Sequence, residues 1–229
     1  MNVDLIENMG SDISVVNAAR VSFDKTSEWN YWNDDGKVRK YLKPKDVNLL
    51  NYLSKHKHWS PFSHPQIQFR IKAPLFVARQ LGKHQVGLSW NEISRRYVDT
   101  QPEFFFPEVW RGYPENKKQG SSNKVIDINP HNQMNDPYQL SLHKALWTYE
   151  HLLEKGVSPE QARMVLPQSA YTEWYWTGSL YAFSRICNLR LAEDSQEETR
   201  EIAKGIDKHC KKLYPYSWKA LKGEIDEER

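Results

Sequence analysis

Residues 79–97 carry a high density of side chains that can donate or accept hydrogen bonds. Four cationic side chains stand among amides and hydroxyls, with a single carboxylate. A buried core segment is excluded, because each unpaired polar group taken from water costs about 1–3 kcal/mol. Arginine presents a planar fork that matches phosphate oxygens, and glutamine, asparagine and serine can pair with the edges of a heterocycle. The segment therefore predicts a site for an anionic, heteroatom-rich ligand, and a nucleotide meets both requirements.

Two of these cations are spaced to act together. Arg79 and Lys83 lie four residues apart, so on a helix they would share one face and could hold the same anionic group. By pattern alone, however, Arg79, Arg96, Arg163 and Arg190 are better explained as surface ion-pair partners, the usual role of an arginine.

Other catalytic chemistries are less well supported. His56, His58 and His64 lie close together, but no carboxylate or thiolate completes a metal ligand set, so no metal site is predicted. Ser94 has no evident base beside it, which favours phosphate binding over nucleophilic attack. Cys187 falls in an apolar helical stripe, which favours packing over attack on a substrate.

Several ordered segments carry a family resemblance. One reads Asn91-Glu92-Ile93-Ser94-Arg95-Arg96-Tyr97, with eight residues between Gln85 and Ser94. Residues 17–23, 58–64, 72–80, 162–167 and 188–190 add further matches in the same order. Together they resemble the flavin-dependent thymidylate synthases (ThyX), whose motif closes on Asn-Glu-x-Ser-x-Arg-Tyr. The chain departs from that motif at residues 83–85, where Lys-His-Gln replaces Arg-His-Arg, so one charge is lost and one fork becomes a point charge.

The resemblance implies an activity and its cofactors. The activity is reductive methylation of dUMP to dTMP, in which methylenetetrahydrofolate gives the carbon, reduced FAD gives the hydride and NADPH restores the flavin. It also implies that Arg190 is catalytic and stabilises the uracil ring that has lost its N–H proton. A fixed cation beside a developing anion supplies electrostatic help of several kcal/mol.

The resemblance further implies the binding residues. For dUMP these are Gln80, Leu81, Gly82, Lys83, Glu92, Ile93, Ser94, Arg95, Arg96, Arg163 and Arg190, with Arg96 and Ser94 as the phosphate candidates. For FAD they are Ser60, Lys83, His84, Gln85, Glu92, Ser179, Leu180, Tyr181 and Arg185. Further candidates are Ser22, His58, Tyr97 and Asn188. Arg185 is expected to supply the charge that Gln85 lacks, and a homotetramer is expected, in which Ser60 and Glu92 serve a neighbour's flavin.

Two other functions stay open. A related enzyme could act on another pyrimidine nucleotide or transfer a hydroxymethyl group, because residues 83 and 85 differ from the motif. A non-catalytic nucleic-acid-binding module would use the basic run and the nine tryptophans. The net charge of +3 is well short of a one-sided basic stripe, so no nucleic-acid partner is expected.

Composition indicates one domain over residues 1–229. At 39% hydrophobic content the chain can bury one sizeable core, and no break in composition separates two. No apolar run approaches the length of a membrane span, and the polar start lacks the regions of a signal peptide. We therefore expect no membrane partner and a cytoplasmic location, or the host cytoplasm if the protein is viral. Cys187 and Cys210 are expected to be reduced core residues.

The elements that position these residues predict an α+β fold, a single mixed domain with a mainly antiparallel sheet flanked by helices. Strands are predicted over 3–6 and 67–71. Helices are predicted over 47–56, 140–153, 179–190 and 196–213, with Pro74 in the first turn of another that runs through 78. Thr177 or Gly178 is predicted to start the helix over 179–190, and residues 158–161 to form a capping box. Residues 111–137 are predicted to be a long surface loop.

Overall fold

The computed structural model describes residues 1–98, 100–115, 120–128 and 136–224. Its centre is a four-stranded sheet in the order β1-β4-β8-β5, and every neighbouring pair is antiparallel. The strands are β1 (Asn2–Met9), β4 (Gln66–Pro74), β5 (Leu88–Glu92) and β8 (Tyr171–Ser179). Two separate two-stranded pairs are β2 (Asn30–Asp34) with β3 (Lys37–Tyr41), and β6 (Trp110–Arg111) with β7 (Val125–Ile126). The predicted α+β class with an antiparallel sheet is confirmed.

Helices complete the chain. They are α1 (Asp12–Arg20), α2 (Pro44–Lys55), α3 (Leu75–Leu81), α4 (Pro137–Glu154), α5 (Pro159–Ala162), α6 (Leu180–Arg190), α7 (Glu197–Leu213) and α8 (Pro215–Lys222). The predicted strands over 3–6 and 67–71 are confirmed as parts of β1 and β4. The helices predicted over 47–56, 140–153, 179–190 and 196–213 correspond to α2, α4, α6 and α7. No helix of the described ranges is long and apolar enough to cross a membrane.

The core lies between the sheet and helices α6 and α7. Alternate residues of β4 are buried, and the Phe69 ring meets the Phe183 ring of α6 edge to face at 5.0 Å. Helix α7 comes close to β1 because Gly205 has no side chain. A Cβ there would lie 2.8 Å from Val3 Cγ2. Cys187 and Cys210 are free and fully buried, and burial raises the pKa of both thiols, so the predicted packing role is confirmed.

Several predicted boundaries were wrong, and each has a local cause. Thr177 and Gly178 still pair within β8, so Ser179 caps α6 instead, and its Oγ accepts a hydrogen bond from the Ala182 N–H at 3.2 Å. Pro74 has extended backbone angles and caps α3 from outside the helix. Ser158 precedes α5 but its side chain makes no capping hydrogen bond, so the capping box is absent.

The predicted loop over 111–137 includes some regular structure. Trp110 pairs with Ile126 and Arg111 with Val125, and these short strands form the β6–β7 pair. Residues 116–119 and 129–135 of this segment lie outside the described residues.

Candidate active site

A cavity of about 490 Å³ opens between α3, β5 and β8. It is lined by Leu75, Ala78, Arg79, Gly82, Lys83, His84, Gln85, Leu88, Trp90, Glu92 and Trp176. Most of these residues come from the polar segment 79–97. That segment leaves the end of α3, turns, and returns as the edge strand β5, so it wraps around the space that it lines.

Two glycines allow this return. Gly87 has a φ of +77°, a backbone conformation that favours glycine, and it leads directly into β5. Gly178 of β8 lies where β5 crosses closely, since a Cβ there would stand 2.7 Å from the Gly87 carbonyl oxygen. Together they allow β5 to run close against β8.

Tryptophans form the apolar wall of the cavity. Trp90 of β5 is the register partner of Trp176 of β8, and their rings meet edge to face at 5.4 Å. The buried Trp174 ring also stacks on the Trp90 ring, with 4.4 Å between the ring centroids and an interplanar angle of 17°. These rings fix the orientation of Trp90.

Glu92 is the one carboxylate on the cavity wall among the described residues, and both of its oxygens are held. The hydroxyl of the buried Thr172 donates to Oε1 at 2.6 Å. The indole N–H of Trp90 donates to Oε2 at 3.2 Å. The acceptor is therefore fixed in direction before any ligand arrives.

Arg190, the last residue of α6, is joined to the cavity by His84. Its Nε donates to His84 Nε2 at 3.1 Å. Because the imidazole accepts here, its proton is on Nδ1 and the ring is neutral. Burial, together with the charges of Arg190 and Arg185, lowers the pKa of His84. Burial also lowers the pKa of Arg190.

The structure brings part of the predicted site together. Gly82, Lys83, His84, Gln85 and Glu92 line the cavity, with Arg79 as the sequence spacing suggested. Arg190 and Arg185 of α6 lie close enough to His84 for their charges to lower its pKa.

Other predicted residues do not line this cavity in a single chain, within the part that is described. Arg96 donates to Ser94 Oγ at 3.4 Å and lies 5.0 Å over the Tyr97 ring. Arg95 donates to the Thr100 carbonyl, and the exposed Arg163 to the Glu160 carbonyl. Ile93 is exposed.

The remaining predicted residues have mainly local contacts. Leu81 and Leu180 are fully buried, Ser179 caps α6, and Gln80 has a buried Oε1 with no hydrogen-bond partner among the described residues. Ser60 begins a short 3₁₀ helix beside Trp59, whose ring lies 6.2 Å from that of Tyr181. Asn188 donates to the Leu221 carbonyl, and Ser22 is exposed.

The histidines near Pro61 are an aromatic cluster. The Tyr52 ring lies 4.3 Å from the His56 ring and 6.0 Å from the His58 ring. Among the described residues, no group of three or more His, Cys, Asp or Glu side chains is arranged to hold a metal ion.

Trp90, Trp176 and Thr172 were not predicted as site residues. The alternation of Thr172, Trp174 and Trp176 is a strand signal that could have placed Trp176 and Thr172 on one face. Their approach to β5 depends on pairing between distant segments.

A cavity with an aromatic wall, several cations and one fixed carboxylate is typical of an enzyme site for an anionic heterocyclic ligand. Comparison with known proteins gives the family. The family described as "Thymidylate synthase complementing protein" matches residues 4–216. The chain belongs to this family, and the resemblance to flavin-dependent thymidylate synthases is confirmed.

Curated relatives and solved structures support the same family. A flavin-dependent thymidylate synthase of Thermus thermophilus is 37% identical over 223 residues, which is 97% of this chain and 76% of the relative. That of Thermosipho africanus is 36% identical over 95% of this chain and 89% of its own length. The crystal structure of a UMP/dUMP methylase, PolB from Streptomyces cacaoi, bound with 5-Br dUMP, superposes with a TM-score of 0.79 at 28% identity. It covers 97% of this chain and 94% of that one.

Proposed function

We propose that this chain catalyses the reductive methylation of dUMP to dTMP, with FAD as cofactor and with methylenetetrahydrofolate and NADPH as co-substrates. Family membership supports the reaction type and the flavin. The single observation that carries the proposal is a pair of fixed groups, one on the cavity wall and the other held by His84, which lines the cavity. Glu92 is an oriented acceptor, and Arg190 is an oriented cation.

The residues present fit a flavin nucleotide. Arg79 and Lys83 offer positive charge for phosphate oxygens, and Gln85 offers an amide that can both donate and accept. The tryptophan wall suits a flat ring system. Bound FAD would supply the hydride. We also propose that Ser60, His84, Glu92, Ser179, Leu180, Tyr181 and Arg185 contribute to holding it.

Arg190 addresses the chemical difficulty of the reaction, which is that carbon five of uracil is a weak nucleophile. A guanidinium at the pyrimidine edge stabilises the ring that has lost its N–H proton, so electron density reaches carbon five. No salt bridge of Arg190 occurs within the described ranges, which leaves its charge available to the substrate.

The proposed assembly is a homotetramer of single-domain subunits in the cytoplasm, with sites shared between subunits. The position of Arg96, Ser94 and Arg163 away from the cavity of their own chain supports sharing, because these side chains are then available to a neighbour's substrate phosphate. Mixing an Arg96→Ala variant with an Arg190→Ala variant should then restore activity, since hybrids contain some intact sites. Failure of every mixture to recover activity would contradict shared sites.

Product analysis tests the reaction. Protein supplied with FAD, NADPH, methylenetetrahydrofolate and dUMP should release a nucleotide with the mass of dTMP. A hydroxymethylated nucleotide, or no new nucleotide, would overturn the proposal.

A second substrate has one specific observation in its favour. The structural neighbour PolB is named a UMP/dUMP methylase, and a second structure of it, bound with 5-Br UMP, superposes equally well on this chain. Competition between UMP and dUMP in the same assay decides which nucleotide this site prefers.

A further inference from the structure

The contact between His84 and Arg190 has a feature that an ordinary arginine contact lacks. Arginine side chains are usually held by carboxylates, whereas this guanidinium donates to an imidazole nitrogen at 3.1 Å. A guanidinium has donors only, so the imidazole must accept and must be uncharged. The contact therefore fixes the direction of the cation without offsetting its charge.

We propose that His84 is a positioning residue, which holds the Arg190 side chain at the pyrimidine site through an uncharged acceptor. This inference rests on the proposed function, in which Arg190 stabilises the deprotonated uracil ring. A carboxylate in the same place would hold the side chain equally well but would weaken the potential that the ring experiences. An uncharged acceptor meets both needs.

The charges around His84 make this hold depend on pH. Helix α6 presents Arg185 and Arg190, and burial together with these charges lowers the pKa of the imidazole. Lys83 is its chain neighbour, Arg79 of α3 lines the same cavity, and β5 contributes the single carboxylate of Glu92. Protonation would turn Nε2 into a donor facing a donor, and it would add another cation to a cationic group. At low pH, protonation of His84 should therefore break its hydrogen bond with Arg190 and free the guanidinium side chain.

A double-mutant cycle on dUMP affinity tests the coupling. The affinity is measured by calorimetry, with added FAD in saturation, for the wild type, His84→Phe, Arg190→Ala and the double variant. His84→Phe keeps an aromatic ring but has no acceptor, and we expect it to weaken dUMP binding about tenfold. In the Arg190→Ala background the same change should have almost no effect, because nothing remains to be held.

A conservative variant supplies the second readout. Gln Oε1 can accept a hydrogen bond but does not titrate, so His84→Gln should bind dUMP within about threefold of the wild type at about pH 8. The substrate phosphate also titrates, so the ratio of the two affinities is the quantity of interest. As the pH falls from about 8 to about 5.5, the wild type should lose more affinity than His84→Gln, because only the imidazole takes up a proton.

If the wild type binds and methylates dUMP, the proposed function stands, and two results would then overturn only the inference about His84. One is an equal effect of His84→Phe in both backgrounds, which would make His84 a direct contact. The other is a parallel pH dependence of the wild type and His84→Gln. A wild type that neither binds nor methylates dUMP would instead overturn the proposed function, and the role of His84 with it.

Discussion

The hydrogen bond from Thr172 to Glu92 predicts how a single substitution should change dUMP affinity. Thr172 is buried in β8, and its hydroxyl donates to Glu92 Oε1 at 2.6 Å. Thr172→Val removes the hydroxyl and keeps the branched shape. A hydrogen bond to a charged group contributes about 1.5–3 kcal/mol. Glu92 is exposed enough for water to replace part of this, so we expect about 1 kcal/mol and a roughly fivefold loss of dUMP affinity.

Calorimetry with dUMP and urea unfolding should separate binding from stability in this variant. Valine suits a strand at least as well as threonine, so the free energy of unfolding should change by less than about 1 kcal/mol. Thr172→Ser keeps the donor and is the matched control, which should bind dUMP like the wild type. Equal affinities for Thr172→Val and Thr172→Ser would refute the claim that this hydroxyl orients Glu92.

Three further predictions concern the framework and its dependence on pH. Gly178→Ala would place a Cβ 2.7 Å from the Gly87 carbonyl oxygen, so it should lower the free energy of unfolding by about 1–3 kcal/mol; an unchanged urea midpoint would show that β5 and β8 have room to separate. In the wild type, Arg20 Nη2 lies 2.5 Å from the fully buried Asp46 carboxylate. Arg20→Ala leaves that carboxylate without its cation, so it should lower the free energy of unfolding by about 3–5 kcal/mol. Adding Asp46→Asn should recover part of that loss in urea unfolding, and simple addition of the two losses would contradict the pairing. Because the native state lowers the pKa of His84 below 6.5, the unfolded chain takes up the proton first as the pH falls. Thermal unfolding should therefore show stability lost below about pH 6.5 and kept above it, with a shallower loss in His84→Gln.

Local patterns in the sequence predicted the elements better than they predicted the site. Residues 67–71 alternate between apolar and polar, and that alternation alone indicated the strand that became β4. The same alternation runs through Thr172, Trp174 and Trp176 of β8, where all three side chains are buried. The start of α6 was misplaced because the pairing of Gly178 with Ile67 extends the strand beyond the point where helix signals begin.

The geometry of the site depends on contacts between distant segments. Trp90 meets Trp176 only through the register of β5 on β8. His84 and Arg190 lie 106 positions apart in the sequence, and their hydrogen bond follows from how α6 packs beside the turn after α3. The resemblance assigned His84 to FAD and Arg190 to dUMP, but no local spacing could predict that the Arg190 guanidinium donates a hydrogen bond to the His84 imidazole.

A shared site for flavin and pyrimidine can be tested directly by titrating the flavin absorption spectrum with dUMP, in the wild type and in Arg190→Ala. Both proteins should retain flavin, and dUMP should perturb the wild-type spectrum to saturation. In Arg190→Ala the same perturbation should require much more nucleotide. An unperturbed wild-type spectrum, or identical titrations of the two proteins, would contradict a shared site for flavin and pyrimidine built around Arg190.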